Sequence, residues 1–102
     1  MEDLTKIDIS KEEYELIINL LKKHLPNTIV WAYGSRVKST STKYSDLDLV
    51  AFSDKSQNLA IGELKEAFEE SNLAFRVDLF VWDNLPGQFK ENIKKEYYAL
   101  QK

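Results

Sequence analysis

The segment at residues 46–52, Asp-Leu-Asp-Leu-Val-Ala-Phe, is the feature that most constrains how this chain folds. Its first residues alternate strictly, so Asp46 and Asp48 share one face of an extended strand while the leucines beside them share the other. Asp is depleted in strands, and it is costly to bury without a partner. The segment therefore predicts a strand that has one apolar face and one carboxylate-bearing face.

Two further strands and three helices are predicted around this segment. Residues 28–33 and 73–82 are rich in β-branched and aromatic side chains, as is typical of strands. Ser10 and Glu13 form a capping box ahead of a first helix, and Pro26-Asn27 ends it. Residues 59–71 and 88–100 have helical spacing of apolar residues, whereas residues 36–45 predict a loop with one helical turn. The order α-β-β-α-β-α predicts a fold of the α+β (mixed α/β) class, with helices flanking a small sheet.

Composition excludes several classes of protein. The 102 residues predict a single domain spanning 1–102, and a net charge of -3 argues against a generic basic nucleic-acid binder, so we expect no direct nucleic-acid binding. There is no Cys, and the only His is His24, so neither a thiolate metal site nor a cluster of His metal ligands can form within one chain. Residues 1–6 carry no apolar signal-peptide region, and no apolar run could span a bilayer. We therefore expect a cytoplasmic protein without a membrane partner.

A third acidic residue, Asp78, lies in the middle of the predicted strand at 73–82. It could join Asp46 and Asp48 if that strand lies beside theirs. Like charges at contact distance near a protein surface repel by about 4 kcal/mol per pair, and a bound divalent cation removes this cost. Oxygen ligands without His or Cys favour Mg²⁺, with Mn²⁺ as the other candidate. Two such ions, about 3.5–4 Å apart, would clamp an in-line phosphoryl displacement.

The Gly34-Ser35 pair at the end of the predicted strand at 28–33 suggests a phosphate site. A glycine permits a tight turn and a close approach of the backbone to a phosphate. Ser35 supplies a hydroxyl and a backbone N–H. Arg36, with Lys38 or Lys43, could neutralise a polyphosphate.

Each of these features alone has an ordinary interpretation. Gly34-Ser35 could be a strand-ending turn, and Asp46 and Asp48 could be solvated acids at a sheet edge. Asp78 could form a salt bridge to a helix lysine. Their joint occurrence, in this order and on successive elements, favours a single site.

The residues at 34–36 (Gly-Ser-Arg) and 45–49 (Ser-Asp-Leu-Asp-Leu) closely resemble the G-S-R…S-D-x-D-[LI] signature of polymerase-β-like nucleotidyltransferases. The strand that carries Asp78 resembles the family's third-carboxylate strand. The short chain is similar to the minimal nucleotidyltransferases of this family. Ser39 departs from the pattern, because many relatives have Gly there.

The resemblance implies a role for each matching residue. Asp46 and Asp48 would bind both metal ions. Asp78 would bind the catalytic ion and help to deprotonate an acceptor hydroxyl. The residues implied in nucleotide binding are Gly34, Ser35, Arg36 and Ser45.

The resemblance also implies a function, which is Mg²⁺-dependent transfer of AMP from ATP to a hydroxyl acceptor. Minimal members resemble antitoxins that modify a Tyr on a partner with the HEPN (higher eukaryotes and prokaryotes nucleotide-binding) fold, a ribonuclease toxin. Larger relatives carry a helical domain for which this chain has no room, so a second copy or another protein would complete the site. Two alternatives stay open: a non-catalytic module that binds the same partner, and an aminoglycoside-type transferase that needs a separate helical subunit.

Overall fold

A computed structural model describes residues 7–38 and 40–102. The helices are α1 (Lys11–His24), α2 (Ser35–Lys38), α3 (Asn58–Glu69) and α4 (Gly87–Lys95). The strands are β1 (Val30–Tyr33), β2 (Leu47–Ala51), β3 (Val77–Val81) and β4 (Tyr98–Gln101). Ser39 and the acidic N-terminal residues 1–6, on which two of the sequence expectations rest, lie outside the described residues. No helix in the described part of the chain has the length and apolar character needed to cross a membrane.

The capping box predicted ahead of α1 is confirmed. The Ser10 hydroxyl accepts a hydrogen bond from the Glu13 backbone N–H at 3.1 Å, and the Ser10 N–H donates to Glu13 Oε1 at 2.7 Å. Both contacts satisfy backbone donors that the first helical turn leaves unpaired. Ile17 and Leu21 lie on the apolar side of the helix and are buried. The chain turns at Asn27, whose φ of 58° is one that Asn tolerates well.

The sheet is mixed, with the strand order β3-β2-β1-β4. Strand β1 pairs antiparallel with both β2 and β4, whereas β2 pairs parallel with β3. A parallel pair needs a crossover connection, and the segment that contains α3 supplies it. The predicted class, a small mixed sheet flanked by helices, is confirmed.

The two faces of the sheet have different environments. Leu47 and Leu49 of β2 point into the main core, where α1 and α3 pack, and both are fully buried. The alternate residues of β2, Asp48 and Val50, point to the opposite face. On that face Val50 packs in a smaller cluster with Ile93 of α4. The alternation seen in the sequence thus places the leucines of β2 in the main core and the carboxylates on the opposite face of the sheet.

The last predicted helix is wrong at its C-terminal end. The helix was predicted over residues 88–100, but α4 ends at Lys95, and β4 pairs with β1. Tyr98 and Leu100 are buried, while the residues between and after them are only partly so, which is the period of a strand. Gln101 fixes the end of β4 by donating from Nε2 to the backbone carbonyls of Leu25 and Thr28.

Other boundaries differ from the prediction by smaller amounts. Strand β3 begins at Val77 and not at residue 73. The single helical turn expected within residues 36–45 is present as α2, although it begins one residue earlier, at Ser35. The observed order is therefore α-β-α-β-α-β-α-β.

Candidate active site

The parallel register of β2 and β3 brings the predicted carboxylates together. Asp48 pairs directly with Asp78, so the two side chains leave the same face of the sheet on neighbouring strands. Asp46 lies just before β2 and reaches the same place, because Asp46 and Asp78 each accept a hydrogen bond from one guanidinium nitrogen of Arg76. We call Asp46, Asp48 and Asp78 the acid cluster.

Arg76 is a site residue that the sequence analysis did not single out. Its Nη2 lies 3.0 Å from Asp46 Oδ2, and its Nε lies 3.2 Å from Asp78 Oδ1. The Arg76 side chain is 70% exposed, so salt and water screen these ion pairs. The available signal was the strand period, which places Arg76 on the same face as Asp78, two residues away.

The chemistry of the acid cluster fits a hard divalent cation. Three carboxylates supply only oxygen donors, the ligand type that Mg²⁺ prefers. A guanidinium cation already bridges two of the three in the structure. Within residues 7–38 and 40–102, no set of three or more acidic, His or Cys side chains is already gathered as a metal site. Asp46 and Asp78 both contact Arg76.

Asp48 is the acid that is left without the arginine contact in this arrangement. Burial raises the pKa of Asp48 to about 6, and the nearby charges of Asp78 and Asp46 add to the shift, while Arg76 opposes it. A raised pKa means that the ionised form of the carboxyl group is disfavoured, and a positive charge nearby would stabilise that form. A divalent cation would supply that charge, so the electrostatics favour the predicted metal site, which stays a prediction.

Gly34 fits against Asp48 in a way that excludes any larger residue. A Cβ atom at position 34 would lie 2.6 Å from Asp48 Oδ2, closer than real Cβ contacts. The Gly34 φ of +85° is also in the region that residues with a side chain avoid. Glycine is therefore required both by the turn between β1 and α2 and by the neighbouring carboxylate.

Tyr33 is a second site residue that the sequence analysis missed. It pairs with Asp48 across β1 and β2 and is buried. Burial raises the pKa of the Tyr33 hydroxyl, and the carboxylates of Asp48 and Asp78 raise it further. The hydroxyl thus stays protonated and can donate a hydrogen bond within the site. Its position in a strand of apolar residues indicated only that Tyr33 is part of the core.

Arg36 does not reach the acid cluster. Its side chain is buried and donates to backbone carbonyls, from Nε to Ser45 at 2.9 Å and from Nη1 to Asp8 at 2.7 Å. Its guanidinium also stacks on the Phe75 ring, 4.1 Å from the centroid. The structure therefore places Arg36 as the residue that holds the loop before β2, and its predicted phosphate contact has no support in this geometry.

Ser45 and Ser35 also have defined positions. The Ser45 hydroxyl accepts from the Thr42 backbone N–H at 2.8 Å and closes the turn that leads into Asp46. Ser35 begins α2 next to Gly34. The nucleotide contacts expected of both serines stay predictions.

A cavity of about 270 Å³ opens beside the acid cluster. Gly34 and Asp48 line one side of it, and Lys38 of α2 contributes a positive charge. Of the two loop lysines considered in the sequence, the structure brings Lys38 to this site. The Lys43 ammonium instead lies over the ring of Tyr44, 5.5 Å from its centroid.

Comparisons with known proteins agree with this fold. The family model described as polymerase beta, nucleotidyltransferase matches residues 15–100. The chain is 43% identical to the probable protein adenylyltransferase MntA of Haemophilus influenzae (strain ATCC 51907 / DSM 11121 / KW20 / Rd) over 102 residues, which is 99% of this chain and 90% of that protein. The chain belongs to the polymerase beta nucleotidyltransferase family. The resemblance drawn from the glycine-serine and aspartate motifs is confirmed.

Solved structures show the same fold. A toxin-antitoxin structure with AMP-PNP superposes with a TM-score of 0.67 at 24% identity, covering 86% of this chain and 72% of that chain. The complex of a tri-AMPylated Shewanella oneidensis HEPN toxin with an MNT antitoxin gives a TM-score of 0.62 at 21% identity, covering 91% and 72%.

Replacing Gly34 by Ala tests the contact with Asp48. We expect Gly34→Ala to lower the free energy of unfolding by at least about 1–2 kcal/mol, because alanine is strained at positive φ and its Cβ meets the carboxylate. Chemical denaturation measures this change. The matched control is Gly62→Ala in α3, where nothing lies within 4 Å of the added Cβ. The control is expected to stabilise by about 0.5–1 kcal/mol. An equal response of both variants would contradict the proposed contact.

The raised pKa of Asp48 predicts that the free energy of unfolding depends on pH. In the unfolded chain the pKa of this carboxyl is near its ordinary value of 3.8, but in the folded protein it is about 6. The folded state therefore loses stability as the pH rises through this window. In metal-free buffer, Asp48→Asn should be more stable than the wild type at pH 8 by about 1 kcal/mol after discounting for solvent screening, or about 4–8 °C in Tm.

Asp46→Asn is the control for this measurement, because Asp46 is engaged by Arg76. We expect no gain of stability from that variant. The advantage of Asp48→Asn should shrink at pH 4, where the native carboxyl is protonated. A wild type that is as stable as Asp48→Asn at pH 8 would show that Asp48 carries no such cost.

Proposed function

We propose that this protein is the antitoxin of a toxin-antitoxin pair and transfers AMP from ATP to a hydroxyl of its partner. The proposed acceptor is a tyrosine on a ribonuclease toxin with the HEPN fold. The observation that carries the proposal is the acid cluster, with Asp48 and Asp78 in register on parallel strands and Gly34 against Asp48. This is an arrangement suited to phosphoryl transfer.

The comparisons support the acceptor class. The Haemophilus influenzae relative is named a probable protein adenylyltransferase, and the alignment covers 99% of this chain. A structure with the same fold contains a HEPN toxin that carries added AMP groups, in complex with an MNT antitoxin. Both observations favour a protein over a small molecule as the acceptor.

The residues proposed to hold the metal are those of the acid cluster, with Mg²⁺ as the leading candidate and two ions expected. Bound there, the ions would neutralise the carboxylates and stabilise the charge that develops on the transferring phosphoryl group. Arg76 would have to release Asp46 and Asp78, the two carboxylates that it bridges. Its exposed position allows that movement with little loss of packing.

The proposed chemical step uses these residues as follows. The acceptor oxygen attacks the α-phosphorus of ATP, and its proton passes to a carboxylate, for which we propose Asp78. The bond between the α-phosphorus and the bridging oxygen breaks, so pyrophosphate leaves and AMP stays on the acceptor. Gly34 allows the backbone to approach the phosphates, and Lys38 adds a positive charge at the cavity. The Tyr33 hydroxyl, kept protonated, is available as a donor.

The open side of the site fits a protein acceptor. On the carboxylate face, Asp78 is 29% exposed and Asp46 is 39% exposed at the side chain. Water must be excluded for efficient transfer. We infer that the partner itself covers the acid cluster when it presents its hydroxyl.

The Arg76 ion pairs favour a second candidate, which is a partner-binding module without catalysis. In the structure Arg76 already satisfies two of the three acids. A module that never binds metal could retain that arrangement. The two candidates differ in whether the acid cluster is needed for the effect on the partner.

A transfer assay tests the proposed function. The protein is mixed with ATP labelled on the α-phosphate, Mg²⁺ and a lysate of its source cells, and the products are separated on a denaturing gel. We expect a labelled protein band that falls by about a hundredfold or more in Asp46→Asn/Asp48→Asn, since groups that stabilise transition-state charge have effects of that size. The added EDTA control should also remove the label. Mass spectrometry of the band should place the AMP on a tyrosine.

Asp83→Asn is the matched control for this assay, because Asp83 is an exposed acid in the turn after β3. It should leave labelling unchanged. Label found only in a low-mass product would contradict a protein acceptor. No label at all, together with a double variant that still neutralises the partner, would support the binding module.

A further inference from the structure

The outer edge of β3 carries backbone groups that the sheet does not use. The Leu47 N–H donates to the Arg76 carbonyl at 2.9 Å, and β2 and β3 then stay in parallel register along the whole of β3. In a parallel pair, alternate residues of a strand turn their N–H and C=O groups toward the neighbouring strand. Residues 78 and 80 therefore bond to β2, and the residues between and beside them face outward. The outward-facing residues are Val77, Leu79 and Val81.

The two edges of the sheet differ in how well they are protected. At the β4 edge, a register shift between Val30 and Trp31 interrupts the pairing with β1, and such a bulge disfavours the addition of another strand. Strand β3 is in unbroken register, and it contains neither Pro nor Lys, the residues that often block an edge. A regular edge of this kind is a template for a further strand.

A cavity of about 510 Å³ lies along the β3 edge, between this strand and α3. Lys65 and Glu69 line it from α3. Phe80 lines it from β3 and is 41% exposed, on the face of the sheet that carries Asp78. The unpaired backbone groups thus lie beside an exposed aromatic ring and two opposite charges.

We propose that this edge pairs with the same edge of a second copy of the chain, so that the two β3 strands run antiparallel about a two-fold axis through Leu79. Val77 then lies opposite Val81 of the second copy, and every outward N–H and C=O of β3 gains a partner. No other axis uses the whole strand, because β3 begins at Val77 and ends at Val81. The proposal concerns assembly and does not depend on the transfer of AMP.

The side chains also favour this register. An axis through Asp78 would set two carboxylates directly opposite each other, which is destabilising. With the axis at Leu79, Asp78 lies opposite Phe80 of the second copy. The two Phe80 rings are then one diagonal apart, within reach of aromatic side chains. The two Asp78 carboxylates are also one diagonal apart, but each is paired with its own Arg76.

The charges on α3 match those of a second copy. Lys65 and Glu69 are one turn apart on the side of α3 that lines the cavity. The two-fold axis sets α3 of the second copy antiparallel, on the same face of the extended sheet. Lys65 then faces Glu69 of the second copy, and Glu69 faces its Lys65. A self-complementary interface of this kind is what a two-fold dimer requires.

Analytical ultracentrifugation tests the proposal, over protein concentrations from about 1 μM to about 1 mM. We expect the wild type to dimerise within this range. Phe80→Lys should raise the dimer Kd by about tenfold or more, because it removes the aromatic pair and sets two cations one diagonal apart. Ile29→Lys is the matched control, since Ile29 is 44% exposed and lies outside β3. It should leave the Kd unchanged. The circular dichroism spectrum and Tm of each variant establish that it is folded.

Cysteine cross-linking tests the register, because the chain has no Cys of its own. The Cα atoms of directly opposite, hydrogen-bonded residues are about 5.5 Å apart, a spacing that a disulfide can span. Within one strand, positions 77 and 81 are about 13 Å apart and cannot be bridged. Oxidation with diamide should therefore convert Val77→Cys/Val81→Cys to a covalent dimer. Neither single variant should cross-link, because each cysteine then lies opposite a valine.

Three results would overturn the proposal. The first is a wild type that stays monomeric up to about 1 mM. The second is a dimer that Phe80→Lys weakens no more than Ile29→Lys does, which would place the interface elsewhere. The third is cross-linking of a single variant to the same extent as the double variant, which would exclude the axis through Leu79. The transfer assay on the acid cluster is independent of all three results.

Discussion

The parallel pairing of Asp48 with Asp78 is the contact on which the site depends. It puts two carboxylates side by side on neighbouring strands, where the repulsion between like charges is a cost to the folded state. The register that creates this cost cannot slip, because Leu49 and Leu79 of the same strands are buried in the core. A shift of one residue would exchange these leucines for carboxylates. The main core therefore holds the acids together against their own repulsion.

Positive charge near the acids is supplied unevenly. Arg76 bridges Asp46 and Asp78 from the solvent side, whereas Asp48 is half-buried and has a raised pKa. Asp46 and Asp78 already have a cationic partner in Arg76, whereas Asp48 has none within contact distance among the described residues. A cation that reaches Asp48 gains the most, and the exposed Arg76 can be displaced. The buried core thus stabilises the fold, and the acid cluster keeps a carboxylate, Asp48, that a bound cation would stabilise.

Much of this arrangement could be predicted from the sequence. The alternation at residues 46–52 gave the strand and its two faces, and the capping box gave the start of α1. The end of the chain could not be read in the same way, because Tyr97 and Ile93 fit a helical period as well as Tyr98 and Leu100 fit a strand period. Pairing with β1 decides between them, and that contact is remote in sequence.

Local sequence patterns also could not predict the partners of Arg36 and Arg76. Arg36 follows the glycine-serine pair and so suggests a phosphate ligand, but its buried guanidinium binds backbone carbonyls at Asp8 and Ser45. Arg76 looked like an ordinary strand residue, but it contacts Asp46, which lies thirty positions away. Spacing indicates which residues share a face, whereas the folded chain decides which of them meet.

The most direct test of this account is a Mg²⁺ titration of the Tm. The acid cluster should make the wild type more stable as Mg²⁺ is added at pH 8, with saturation, because a ligand that binds the folded state raises its stability. The rise should be smaller at pH 5, where Asp48 is protonated, and absent in Asp46→Asn/Asp48→Asn. A Tm that does not respond to Mg²⁺, or that responds equally in the double variant, would contradict the claim that these carboxylates form a cation site.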